Sequence, residues 1–189
     1  MIERKFKTFW PRFWAGLIDG LILYPLVLLN NAIWEYHDEL PLIMMLLWYV
    51  IYSLAFSTYD FVMHGKYGQT LGKMAMKVKV LDITESSLSI LQAFRREFPP
   101  LCFIAIDFIL EIPKVLSGVN IMDQNLIQFD TAFYLTTLSS LGWFMVEMIT
   151  MLFSNKRRAI HDFIAGSVVV RLSQQCAALD RHETGCATK

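Results

Sequence analysis

Four apolar stretches, separated by polar segments, divide the chain. They cover residues 13–33, 41–63, 99–116 and 131–153, and the third is the shortest. About 20 apolar residues in a helix cross the hydrocarbon core of a bilayer. The pattern therefore predicts an all-α polytopic membrane protein with four transmembrane helices.

The polar segment over residues 64–98 has two further patterns. Apolar and basic residues alternate over 73–80, which predicts a short strand with one solvent-facing side. A basic interfacial helix is the alternative, but helical spacing would scatter its lysines. The stretch 167–171 predicts a second strand that pairs with the first. Residues 89–98 predict an amphipathic helix on the membrane surface, with Arg95 and Arg96 toward lipid head groups.

Composition supports the membrane class. The chain has 189 residues, of which 55% are hydrophobic and 18% charged, and its mean hydropathy is +0.43. Soluble domains are rarely so apolar. With zero net charge and no uniformly basic region, nucleic acid is not an expected partner. The cysteines, Cys102, Cys176 and Cys186, have no metal-binding spacing, so we expect free thiols and no metal.

Basic residues predict the orientation of the spans. Lys and Arg cluster before the first span, between the second and third, and after the fourth, whereas the other two connections hold only Lys114. The positive-inside rule then places both termini in the cytoplasm. The apolar run near the N-terminus lacks a signal-peptide cleavage pattern, so we interpret it as a retained span. Residues 1–172 form the predicted membrane domain, and residues 173–189 a disordered cytoplasmic tail.

The predicted spans contain four carboxylates: Asp19, Asp60, Asp107 and Glu147. Each alone could pair with a hydroxyl or a backbone group. Charged residues within spans generally face the protein interior or a water-filled cavity, and the predicted depths of these four overlap. The sequence thus predicts that they share a polar or ion site with Arg12, open to the cytoplasm.

Arg12 directly precedes the first span, and Asp19 lies inside it. Seven residues separate them, so they project from nearly the same face of a helix, beside Gly16 and Gly20. We expect the two charges to pair and to line a pocket between helices. The alternative is a packing face made by the Gly-x-x-x-Gly motif, with Asp19 bonded to a neutral partner.

An enzymatic role is not expected, and no cofactor is predicted. Adjacent residues such as His161 and Asp162 rarely converge on one substrate atom, and the chain lacks a Walker-type phosphate loop. Asp162 fits better as a helix cap or as an acceptor for the basic cluster Lys156, Arg157 and Arg158.

Three ordered motifs resemble the RDD family of bacterial membrane proteins, named for one arginine and two aspartates. They are R-x-x-A-x-x-I-D over 12–19, G-x-T-L-G-K over 68–73 and R-R-A-I-H-D-x-I-A-G-S-V-V-V over 157–170. The resemblance assigns the arginine to Arg12 and the aspartates to Asp19 and Asp162. Its cytoplasmic motif residues are Gly68, Thr70, Gly72, Lys73, His161, Asp162 and Gly166. Residues 13–14, where leucines are usual, and an insert around 111–130 depart from the pattern.

The resemblance implies a multi-pass protein of the bacterial inner membrane, in a family suspected of small-solute or ion transport. Intramembrane carboxylates favour cation/proton transport, in which four spans would need a homo-oligomer or another membrane partner to complete the pathway. The competing interpretation is a scaffold without transport activity, whose basic cytoplasmic module, residues 64–98 with 154–172, binds a protein partner or anionic lipid. The small number of spans and the well-patterned module favour that second class.

Overall fold

The structure is a computed structural model that describes residues 4–118, 121 and 131–172. It is mainly helical, with one small sheet, as the sequence predicts. The helices are α1 (Phe9–Glu35), α2 (Leu42–Tyr67), α3 (Leu71–Ala75), α4 (Ile90–Leu116), α5 (Thr131–Phe153) and α6 (Ile160–Ala165). The strands are β1 (Val78–Asp82) and β2 (Ser167–Arg171), and a 3-10 turn over Arg4–Phe6 precedes α1. The predicted tail and most of the predicted insert lie outside the described residues.

Within the described part of the chain, three helices are long and apolar enough to cross a membrane. They are α1, α2 and the segment Tyr134–Phe153 of α5. The C-terminal part of α4 corresponds to the predicted third span, but it carries Asp107, Glu111 and Lys114. These charges lower its hydropathy, so length and composition do not identify it as a span.

The predicted surface helix and the predicted third span are one continuous helix, α4, which corrects the boundary expected near residue 98. Ser89 and Gln92 form a capping box at its start. Pro99 and Pro100 lie inside the helix, where proline ordinarily costs about 3 kcal/mol. Tertiary packing offsets this cost, because α4 lies along α2 and Pro99 is buried.

The predicted strand pair is present with a corrected boundary. β1 and β2 are antiparallel, from Val78 opposite Arg171 to Asp82 opposite Ser167. Residues before Val78 do not extend the strand, because 71–75 form α3 instead. The Thr70 side chain starts α3 by accepting a hydrogen bond from the backbone N–H of Lys73 at 3.3 Å. Local capping therefore overrides the alternating pattern.

Neither face of this sheet is fully solvated, which corrects the expected wet face. Val78, Val80 and Val169 pack with Leu88 and Ala93 on one side. On the other side, Leu81, Val168 and Val170 pack with Phe6 from the N-terminal turn. The sheet thus joins three parts of the chain: the N-terminal segment, the 64–98 connection and the segment after α5.

The opposite end of the bundle has its own apolar cluster. Trp34 at the end of α1, Met45 and Tyr49 near the start of α2, and Val115 at the end of α4 are all buried there. Helix α4 therefore begins beside the sheet and ends in the far cluster. It reaches both ends of the bundle.

Candidate ion site

Asp162 is the centre of a buried ionic cluster. Its side chain is fully buried and accepts hydrogen bonds from Arg12 Nη1 at 2.6 Å, from Arg96 Nη1 and from the backbone N–H of Ala159 at 2.9 Å. Burial alone would raise the pKa of Asp162, but the guanidinium groups of Arg12 and Arg96 outweigh it and hold the pKa well below its ordinary value. Asp162 is therefore a permanent carboxylate that joins α1, α4 and α6.

This geometry corrects two predicted pairings. Arg12 does not pair with Asp19, since its guanidinium bonds Asp162, His161 Nε2 at 3.2 Å and the carbonyl of Arg157 at 3.1 Å. The basic cluster after α5 does not supply the partners of the Asp162 carboxylate either. Arg158 instead donates to the carbonyl of Ser167 and to the main-chain carbonyl of Asp162, both at 2.9 Å.

The sequence interpretation missed Arg96, which is only 3% exposed and also donates to Ser167 Oγ at 2.8 Å. The amphipathic pattern predicts that Arg96 faces the lipid head groups together with Arg95. Adjacent residues on a helix point about 100° apart, so both could not face the same surface. Arg96 shares a face with the buried residues Ala93 and Pro99, at positions i−3 and i+3. This spacing is the signal that could have identified it.

Asp19 has only neutral partners among the described residues. Its carboxylate accepts hydrogen bonds from Tyr59 Oη at 2.7 Å, Thr70 Oγ1 at 2.5 Å and the backbone N–H of Gly72 at 2.7 Å. This part of the alternative interpretation is therefore confirmed. The contacts fix α3 against α1 and give Thr70 and Gly72 of the family motif a physical role. Thr70 both caps α3 and binds Asp19.

The close helix approach occurs at Gly72 and not at the predicted Gly-x-x-x-Gly motif. A Cβ atom on Gly72 would overlap the carbonyl oxygen of Ala15. For Gly16 and Gly20, no heavy atom lies within 4 Å of the corresponding position, and both residues line a cavity. Residue spacing alone did not reveal which helix face has a neighbour.

Gly72→Ala is expected to destabilise the protein by about 1–3 kcal/mol, the usual cost of overpacking, because α3 must move away from α1. The movement would also break the bond from the Gly72 N–H to Asp19. Thermal unfolding in detergent measures the effect. Gly142→Ala is the matched control, since Gly142 is helical and has open space around it. Equal melting temperatures for the two variants would contradict the close contact.

A cavity of about 460 Å³ brings most of the predicted site residues together. We call it the charged cavity. Of the predicted residues, Arg12, Asp19, Asp60 and Glu147 line it. Asp107 does not, and it instead accepts a hydrogen bond from Tyr49 Oη at 2.5 Å. Lys73, Arg96 and His161 were not predicted to belong to this site, and they complete its charged lining.

His161 connects the ionic cluster to the charged cavity. Arg12 donates to its Nε2, so the ring proton is assigned to Nδ1, which then donates to the Glu147 carboxylate. Burial lowers the pKa of His161 below its ordinary value, although Asp162 and Glu147 oppose this shift. The favoured form is thus a neutral imidazole between an arginine and a glutamate.

Lys73 is a basic group of the cavity with a perturbed pKa. Desolvation lowers its pKa to about 8, from an ordinary 10.5, because the attraction of Asp60 compensates only in part. Its Nζ lies 2.7 Å from Nε2 of the buried His64. Lys73 therefore contributes to the cavity lining a desolvated amino group in contact with a buried imidazole.

The remaining motif residues are structural. Gly68 and Gly166 end α2 and α6 with left-handed conformations, at φ 68° and 65°, which favour glycine.

Within the described part of the chain, no group of three or more His, Cys, Asp or Glu side chains is arranged to hold a metal ion. The cavity lining combines the carboxylates of Asp19, Asp60 and Glu147 with the guanidinium groups of Arg12 and Arg96.

A comparison with family models matches the RDD family over residues 6–166. The match covers most of the chain, and the protein belongs to this family. The motif residues Arg12, Asp19 and Asp162 all lie within it. Searches of curated proteins and of solved structures found no significant match.

Proposed function

We propose that the protein exchanges a small monovalent cation for a proton through the charged cavity. The observation that carries this proposal is the convergence of Asp19, Asp60 and Glu147 from three long apolar helices on one cavity. Ionisable residues at such positions mark ion and proton paths by default. Arg12 and Arg96 add fixed positive charge to the lining of the same cavity, which would favour release of a proton or cation.

The proposed topology has four spans, with both termini in the cytoplasm of a bacterial cell and the protein in the inner membrane. Support comes from the sheet, which gathers Phe6, β1 and β2 at one end of the bundle. That end also carries most of the basic residues. Helix α4 reaches the opposite end, where Val115 packs with Trp34, which supports α4 as the third span.

Reporter fusions test this topology. We expect fusions at residues 37 and 120 to report the periplasmic side and fusions at residues 85 and 180 the cytoplasmic side. The physical reason is that anionic head groups and the membrane potential retain basic loops inside. Either terminus on the periplasmic side would contradict the four-span model.

Reconstitution into liposomes tests the activity. Vesicles with an internal pH indicator are given an inward gradient of Na⁺ or K⁺, and proton efflux is followed. Cation-dependent proton movement above that of protein-free vesicles would support the proposal. Its absence with both cations would leave the scaffold function.

The scaffold function is supported by a different observation. The cytoplasmic module is assembled from distant segments of the chain. Lys66, Lys77 and Arg95 are exposed on it. Such a surface fits anionic lipid head groups or an acidic protein partner. Retention of anionic lipid through purification, lost when these three residues are replaced by Gln, would favour this function. An enzymatic role is not part of either proposal.

A homo-oligomer is part of the transport proposal. Helix α1 leaves Leu21, Tyr24 and Leu28 more than half exposed within the single chain. Lipid or a second copy can cover this face. The oligomeric state in detergent, measured by light scattering, distinguishes the two.

A further inference from the structure

A second cavity lies among α2, α4 and α5. Its volume is about 590 Å³, and its polar lining consists of one carboxylate and several hydroxyl groups. We call it the hydroxyl cavity. The polar side chains that line it are those of Ser53, Asp107, Thr136, Thr137 and Ser140, with Tyr52 beside them.

The two cavities follow one another along the same helices. Ser53 and Asp60 on α2 line different cavities, as do Ser140 and Glu147 on α5. In both helices the separation is seven residues, or about 10 Å along the axis. The hydroxyl cavity is therefore displaced toward the end of the bundle away from the sheet.

Phe56 lines both cavities. It lies on α2 between Ser53 and Asp60, and its side chain is partly exposed. An aromatic ring between two polar spaces is an apolar barrier to ions. Removing the ring would join the two spaces.

The charge balance of the hydroxyl cavity differs from that of the charged cavity. Arg12, Lys73 and Arg96 accompany the carboxylates of the charged cavity. In the described lining of the hydroxyl cavity, Asp107 has no basic neighbour. Among the described residues, the hydrogen-bond partner of Asp107 is the neutral Tyr49 hydroxyl, which donates to Oδ2. An ionised carboxylate at membrane depth requires a positive charge or a proton.

Oxygen ligands of this kind suit hard cations. One carboxylate balances one positive charge, and neutral hydroxyl oxygens complete the coordination. Since a water molecule occupies about 30 Å³, the cavity also has room for an ion with part of its hydration shell.

We propose that Asp107 and the surrounding hydroxyl groups form a second binding site for a monovalent cation, in series with the charged cavity and separated from it by Phe56. The site extends the proposed transport function, because it provides a second binding site between the charged cavity and the far side of the membrane. Cation binding at Asp107 can nevertheless be measured without transport.

Cysteine protection tests the site. Cys102, Cys176 and Cys186 are replaced by Ser, and Ser140→Cys is added to the full-length chain. Membrane vesicles are treated with a membrane-impermeant cationic thiosulfonate, in NaCl or KCl against N-methylglucamine chloride at constant ionic strength. Bound cation should slow modification by the factor 1 + [cation]/Kd, or about tenfold when the cation is at about ten times its Kd.

Ser139→Cys is the matched control, because Ser139 has the same chemistry and depth but does not line the cavity. Its modification should not depend on the cation. Asp107→Asn should abolish the protection at Ser140→Cys while its melting temperature confirms folding. If that variant does not accumulate, Thr137→Val removes one oxygen ligand and should raise the Kd. Protection unchanged in Asp107→Asn, or absent in the parent with both cations, would overturn the site.

Phe56→Ala tests the serial arrangement. In inside-out vesicles the reagent enters at the cytoplasmic face. There it should modify the cysteine of Ser140→Cys faster when Phe56→Ala is also present than when Phe56 is retained. An unchanged rate would show that Phe56 does not separate the cavities. Protection without flux would support the second site and refute the transport proposal. Flux without protection would support transport and refute the second site.

Discussion

Asp162→Asn is expected to lower the free energy of unfolding by about 3–5 kcal/mol, the cost of removing one partner from a buried ion pair. Asn retains the volume of Asp162 and can accept hydrogen bonds. It cannot neutralise Arg12 and Arg96, whose side chains are only 7% and 3% exposed. Two buried guanidinium groups would lose their shared anion.

The loss should appear as a lower melting temperature of the detergent-extracted protein and a smaller monodisperse peak in size-exclusion chromatography. Asp38→Asn is the control, since the Asp38 side chain is 89% exposed. Exposed ion pairs contribute about 0–1 kcal/mol, so this variant should unfold like the parent. Equal unfolding of the two variants would mean that the Asp162 cluster does not hold the helices together.

Asp19→Asn is expected to abolish cation-coupled proton movement in liposomes and to leave the protein folded. An Asn side chain can still accept hydrogen bonds at Oδ1 from Tyr59 and from the Gly72 N–H, as Asp19 does. Its amide can donate to Thr70 Oγ1, which now donates to Asp19. The amide cannot exchange a proton or balance a cation, so only transport should fail.

Flux and melting temperature are measured together for this variant. Tyr59→Phe is the matched control, because it removes one hydrogen bond to the same carboxylate but leaves the charge, and it should retain flux. The scaffold function predicts instead that Asp19→Asn is tolerated in every assay. Unchanged flux in Asp19→Asn would remove the main support for transport through the charged cavity. A decrease in flux that merely follows a loss of folded protein would also count against it.

The structure changes what a mutation of Asp19 means. The sequence predicts that removal of the Asp19 carboxylate leaves Arg12 as a buried charge without a partner. Arg12 bonds Asp162 across 150 positions of sequence, and Asp19 bonds the start of α3. Stability effects should therefore concentrate at Asp162 and transport effects at Asp19, although both belong to the same family motif.

The sequence by itself determined the local elements and the chemistry available to them. Apolar length predicted α1, α2 and α5, and the β-branched run over 167–171 predicted β2. These features depend on periods of 3.6 and 2 residues, which neighbouring positions define. The three ordered motifs also predicted the family, because each contributes residues at fixed short spacings.

Only the tertiary structure decided which charges meet. The cavity draws residues from six helices, and no spacing within one helix specifies which neighbour a face contacts. Arg96 therefore appeared to belong to the surface, and Asp107 appeared to belong with the other carboxylates. Packing turned Arg96 toward Asp162 and left Asp107 with Tyr49 in a separate cavity. The physical reason is that a buried charge is positioned by distant partners that compensate its desolvation, and local sequence carries no information about them.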